Sequence, residues 1–194
     1  MLTAYIDFKS LPSYLALKPT LALALRHHVA VDWRPFVTRE REIPGESHDA
    51  ALSKRHHEVR MASQRSTDLM YATLQGMELS YPETAAEADL ALAALALMDG
   101  DKTAFVQTAF DAYWQRHADL NDKGVVESLL SAAGCNLELS VATARSALAD
   151  AQSAAQDSAV VDAPCFVVAT QLFVGRQHLP WIEECLLAEL AKAS

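Results

Sequence analysis

The sequence predicts an α/β fold whose strands lie near the two ends of the chain, with helices between them. Three observations carry this reading. An apolar strand pattern runs into a helix start near Ser10, and a second strand pattern follows that helix. Residues 49–136 read as helix throughout, rich in Ala and Leu. The C-terminal segment then holds two closely spaced strand patterns and an amphipathic helix.

Thr3 to Phe8 carries Tyr5, Ile6 and Phe8 and reads as a short buried strand, broken by Lys9 and Ser10. Ser10 is a favoured N-cap. Pro12 suits the first helical turn, where its missing N–H has no intrahelical partner. The helix from Pro12 to His28 should turn Leu15, Leu17, Leu21, Ala22 and Leu25 inward, with Pro19 kinking or splitting it. Val29 to Val37 is a second strand, so the three segments form a βαβ unit with parallel strands and a right-handed crossover. Charged Thr38 to His48, with its Pro44-Gly45 turn, leads out of the sheet. Helices are expected over 52–74, over 82–98, over 103–117 and over 125–133, the last closed by Gly134. Residues 137–158 are helical again. Val160 to Val168 is a buried strand entered through Pro164, Leu172 to Gly175 its hairpin partner, and Pro180 to Ala193 the closing helix. That order is a thioredoxin-like fold with an all-helical domain inserted after the second strand. Residues 1–40 and 150–194 would form one discontinuous domain, and residues 48–149 the inserted one.

Composition narrows the function classes. The chain has 194 residues, 51% of them apolar, enough for a substantial core. A net charge of −9 argues against nucleic acid as a partner, since phosphate contacts need Lys and Arg. No run approaches a membrane span, and no basic start followed by an apolar stretch marks a signal peptide, so a cytoplasmic protein is expected. Cys135, Cys165 and Cys185 are odd in number and form no Cys-x-x-Cys pair, which argues against a disulfide framework. Cys165 reads as a small buried residue. His27 and His28 suit the C-terminal end of the first helix. His56 and His57 are neighbours on a helix, about 100° apart, and lack the i, i+4 spacing of helical zinc ligands. No metal is expected.

A strand that delivers a hydroxyl to a helix N-terminus makes a place for an anion, because unpaired N–H groups and the helix dipole favour negative charge. From the local pattern alone Ser10 is either a plain N-cap or the holder of a ligand thiolate. The stretch Asp7-Phe8-Lys9-Ser10-Leu11-Pro12-Ser13-Tyr14 resembles the opening of the kappa-class glutathione transferases and 2-hydroxychromene-2-carboxylate isomerases, relatives of DsbA. In that family a Ser replaces the first Cys of Cys-x-x-Cys and Pro follows it directly; here Pro12 stands one place later. Further along, Leu74 to Leu79, Phe110 to Trp114, Ala163-Pro164 and Phe173 to Leu179 resemble the family's segments in the same order.

The resemblance implies a glutathione-dependent isomerase or transferase acting on a conjugated or aromatic small molecule, and a homodimer. It makes Ser10 the residue that activates the glutathione thiol. Ala163, before a cis Pro164, would offer its backbone to the glutathione cysteine. Gln177 would hydrogen-bond the γ-glutamyl amine, but without the charge of the family's acid, and Arg176 is either an anion contact or a solvated charge. In the family resembled, glutathione binds in a cleft between the thioredoxin and helical domains, so Lys54, like Arg60, could face such a cleft and bind a carboxylate or be a solvated helix charge. The alternative is a catalytically degenerate DsbA-like binding protein with no glutathione chemistry. Disulfide oxidation by a dithiol is disfavoured, since Ser10 and Ser13 stand where two thiols would be needed.

Overall fold

The computed structural model describes residues 1–39, 48–77, 79, 81 and 86–193, without the side chains of 48–54, 57 and 193. These residues form four strands and seven helices. Strand β1 (Leu2–Ile6) is buried along its whole length and leads to helix α1 (Leu11–Arg26). Strand β2 (Val31–Pro35) then pairs with β1 in parallel, as the βαβ reading requires. Helices α2 (His48–Leu74), α3 (Asp89–Leu97), α4 (Thr103–Arg116), α5 (Lys123–Ala132) and α6 (Val141–Asp157) follow. Strands β3 (Cys165–Val168) and β4 (Gln171–Val174) form an antiparallel hairpin, and helix α7 (Leu179–Ala193) ends the chain. The sheet order is β2-β1-β3-β4, with β3 antiparallel to β1. This is the thioredoxin-like arrangement with helices inserted after the second strand.

The central strand explains the apolar run at the start of the chain. β1 is an inner strand of the sheet and all five of its residues are buried, so side chains on both of its faces are covered and apolar residues suit both. Its Tyr5 lies opposite Cys165 and packs with Phe36, Val160 and Ala163, beneath Ala155 of α6. Helix α1 packs on α7, while α3 and α6 pack on one another and against β2.

Contacts divide the chain into two compact units, Met1–Thr38 with Ser80–Ser194, and Arg39–Leu79. Helices α3 to α6 belong to the same unit as the sheet. The second unit consists, among the described residues, essentially of α2, with Val59, Met61, Met70 and Leu74 exposed.

Three local expectations are corrected. Pro19 does not split the first helix, which runs unbroken over its 16 residues. Packing of Leu15, Ala16, Thr20 and Leu23 outweighs the one backbone bond that a proline removes. The inward stripe of α1 also differs: Leu23 and Ala24 are buried, whereas Ala22 and Leu25 face solvent and Leu21 is half-buried. Helix α3 begins at Asp89, after non-helical Ala86, Glu87 and Ala88, and Ala88 gives it no side-chain cap; the expected start at Pro82 lies outside the described residues. Here the acid in the first turn supplies the favourable charge at the helix start.

Candidate functional site

Ser10 is the N-cap of α1, with the extended backbone of that position. Its Oγ accepts from the Ser13 N–H at 3.3 Å and donates to the Ala163 carbonyl at 3.1 Å. A hydroxyl has one proton, so the donor capacity of Ser10 is committed to Ala163 in this structure. Tyr14 N–H makes the first helical bond, to the Ser10 carbonyl. Pro12 has no N–H. The displaced proline thus leaves the Leu11 N–H at the helix start, where it has no partner among the described residues. One side-chain hydroxyl and one backbone N–H therefore meet at the positive end of a 16-residue helix.

Ala163 is buried and joined to Pro164 by a cis peptide bond. Its carbonyl accepts from Ser10, and its N–H donates to Oδ1 of the neighbouring Asp162 at 2.8 Å. The Pro164 carbonyl accepts from Gly175 N–H at 2.8 Å, which draws the end of β4 to the same place. Ser10, Ala163, Pro164 and the turn after β4 are thus assembled at one end of the sheet.

That turn, Arg176–His178, is a short 3-10 segment beside α1. Gln177 folds back: its Nε2 donates to the Val174 carbonyl at 3.1 Å. Gly175 has φ +93°, and a Cβ there would collide with the Gln177 amide, so the glycine is what lets the side chain fold this way. Arg176 lies in the same turn. Lys54 belongs to α2, and its side chain lies outside the described residues. An open groove along α2 is flanked by Arg55, Val59, Arg60 and Thr67, of which Arg60 is one of the candidate residues.

Sequence reasoning passed over two supports of this loop. Asp7 is fully buried at the end of β1. Its Oδ2 accepts from the Thr38 N–H at 2.8 Å and the Thr38 hydroxyl at 2.6 Å, and its Oδ1 from the Lys9 N–H at 3.1 Å. Burial pushes its carboxyl up from the ordinary value, against the lowering effect of the Thr38 and Lys9 bonds. Trp114 is the second. Its ring is buried and its Nε1 donates to the Phe8 carbonyl at 3.0 Å. The Asp-Phe-Lys-Ser motif contained the first signal, and the Phe110 to Trp114 segment that resembles the family contained the second, but neither motif showed what its residue binds. Lys9, beside Ser10, pairs with Glu87. His27 pairs with Glu183 of α7, a partner the helix-dipole reading did not supply. Among the described residues no group of three His, Cys, Asp or Glu could hold a metal.

Cys165 does not replace the missing thiols of the motif. It is fully buried, and burial, followed by the charge of Asp162, pushes its thiol up to about 11. At pH 8 roughly one molecule in a thousand would carry the thiolate, the nucleophilic form. Native iodoacetamide labelling at that pH is expected to leave Cys165 unmodified for hours while Cys185, half-exposed, reacts; peptide mass spectrometry reads the difference. Rapid labelling of Cys165 would contradict this reading.

A family model for the DSBA-like thioredoxin domain matches residues 1–186. Solved structures share the fold at low identity. A 2-hydroxychromene-2-carboxylate isomerase aligns with TM-score 0.72 and 17% identity, over 100% of this chain and 98% of its own. A putative protein disulfide isomerase from Nitrosomonas europaea gives 0.65 and 11%, over 100% and 98%. The cytosolic disulfide reductase DsbM from Pseudomonas aeruginosa, solved with GSH, gives 0.60 and 18%, over 99% and 98%. No curated protein matches the sequence. Among the described residues, no helix is long and apolar enough to cross a membrane.

Proposed function

Because the chain belongs to the DSBA-like thioredoxin domain family, we propose that its serine-headed helix binds reduced glutathione as a thiolate, in an isomerase or transferase of conjugated or aromatic small molecules. The observation that carries the reading is the position of Ser10: a hydroxyl at the N-terminus of α1, 3.1 Å from the backbone of Ala163. The thiol end of glutathione fits this arrangement. Ser10 Oγ and the Leu11 N–H would both donate to the sulfur, and the helix dipole would favour its negative form, lowering the thiol pKa toward neutrality. To do so, Ser10 must turn its proton away from the Ala163 carbonyl. Bound in this way, glutathione supplies a nucleophile that adds to a conjugated double bond: the C–S bond forms as the π bond breaks and its electron pair moves into the conjugated system. That system expels the thiolate again after bond rotation in isomerisation, or takes a proton from solvent in transfer. The displaced thiol proton goes to solvent.

The γ-glutamyl end fits less well, since the Gln177 amide is turned to Val174 and brings no charge. That observation favours a second reading, a catalytically degenerate DsbA-like thioredoxin-fold binding protein with no glutathione chemistry. The first reading extends, by family likeness alone, to a cytoplasmic homodimer, with Arg176 and Lys54 as further glutathione contacts.

Calorimetric titration with reduced glutathione, in two buffers of different ionisation enthalpy and at two pH values, separates the readings. Wild type is expected to bind with release of a proton, and Ser10→Ala to lose the proton release and bind about ten-fold more weakly, the size of one bond to a charged acceptor. Ser10→Ala also loses a helix cap, so a thermal melt confirms that it is folded at the titration temperature. Absence of binding to wild type at millimolar glutathione would remove the first reading.

A further inference from the structure

We infer that Asp162 is a built-in competitor at the ligand edge, whose carboxylate occupies the Ala163 N–H that a peptide-like ligand would need. The inference deepens the glutathione reading and rests on it for the identity of the ligand. It starts from a simple count. The residue before Pro164 has one backbone donor and one backbone acceptor, and both are satisfied within the chain. The acceptor takes the Ser10 hydroxyl at 3.1 Å, and the donor goes to Asp162 Oδ1 at 2.8 Å.

The two internal partners differ in what displacing them requires. Ser10 can rotate its hydroxyl toward a sulfur and leave the Ala163 carbonyl to an incoming N–H. Asp162 must swing its carboxylate out, and nothing on the protein holds it back, since the side chain is exposed and makes no other bond among the described residues. Next to it Val161 is also exposed, while Ala163, Pro164 and Cys165 are all buried. The short segment 161–162 is therefore the solvent-facing margin of the edge, and the carboxylate stands between solvent and the amide.

The competitor is also charged. An anion placed at Ser10 lies close to Asp162 through Ala163, the residue both side chains bind. Asp162 therefore discriminates against anionic acceptors at this edge, and its effect weakens in salt. Its field already reaches the buried Cys165 thiol, which it helps to keep protonated. A neutral carbonyl of a peptide bond is the acceptor best able to take its place.

Two substitutions separate the bond from the charge. Asp162→Asn keeps an acceptor oxygen for Ala163 N–H and removes the charge; Asp162→Ala removes both. Amide exchange at Ala163, followed by NMR without ligand, reads the bond itself. Exchange at Ala163 is expected to be about ten-fold faster in Asp162→Ala than in wild type, with Asp162→Asn close to wild type. Glutathione titration then reads the competition. Asp162→Ala is expected to bind about five-fold more tightly than wild type, the size of one net hydrogen bond, and more tightly than Asp162→Asn.

Equal exchange at Ala163 in all three proteins would overturn the inference whatever glutathione does. So would measurable glutathione binding of equal affinity in all three. Equal gains in Asn and Ala would leave charge as the cause and overturn the competing bond. If no protein binds glutathione while Asp162→Ala alone exposes the amide, the competitor stands and glutathione is the wrong ligand.

Discussion

Replacing Trp114 with alanine is expected to lower the unfolding free energy by about 4 kcal/mol, the usual cost of emptying a large aromatic site in a core. The ring is buried and lies flat against Tyr14, with centroids 6.1 Å apart and planes 6° from parallel. Tyr113 meets it edge-on at 5.3 Å, and Phe110 continues the cluster to Phe8 at 5.0 Å. The effect is therefore not confined to α4. Phe8 and Tyr14 flank the Lys9-Ser10 turn, and the indole N–H holds the Phe8 carbonyl two residues before the cap. Trp114→Phe separates packing from this bond: it keeps most of the ring and leaves a buried carbonyl without its donor, at about 1–2 kcal/mol. Urea unfolding followed by circular dichroism gives both values. A loss below about 1 kcal/mol for the alanine variant would show that the pocket collapses around the missing ring and that α4 does not support the loop.

What could be read from the sequence, and what could not, follows from the range of the interactions. The Ser10 cap was legible because capping is decided within four residues, and the structure places its hydroxyl on the Ser13 N–H. The parallel pairing of the first two strands was legible because a helix between two strands leaves little choice of topology. The face of α1 was not. Leu21, Leu23 and Leu25 are equally good helix formers, and the packing partners of α1, among them α7 far along the chain, decide which of them is buried. The fold-back of Gln177 was hidden for a similar reason, because it depends on the left-handed backbone of Gly175. Asp162 is the least legible of all. Its bond to the next residue's N–H requires a particular turn into Pro164, and an exposed acid before a strand has no sequence signature of its own.

Removing the carboxyl of Asp7 is expected to destabilise the protein by about 2 kcal/mol at neutral pH, and its pH dependence identifies the cause. Asp7→Ala deprives two backbone N–H groups, of Lys9 and Thr38, and the Thr38 hydroxyl of their acceptor. Orphaned donors cost about 1–3 kcal/mol each, but relief of a buried negative charge offsets part of that loss. Desolvation is the largest influence on this carboxyl and raises its pKa in the folded state. The folded protein therefore holds the Asp7 proton more tightly than the unfolded chain does. Stability from this group is greatest below the unfolded value near 3.8 and falls as pH rises toward the raised folded value. Asp7→Asn has no such titration. The advantage of wild type over Asp7→Asn should accordingly shrink as pH rises from about 4 toward neutrality, in urea unfolding at several pH values. An advantage that grows with pH would mean that the three donors stabilise the anion more than burial penalises it. Either trend bears on the site, because Asp7 ties the turn that presents Ser10 to Thr38, just beyond the second strand.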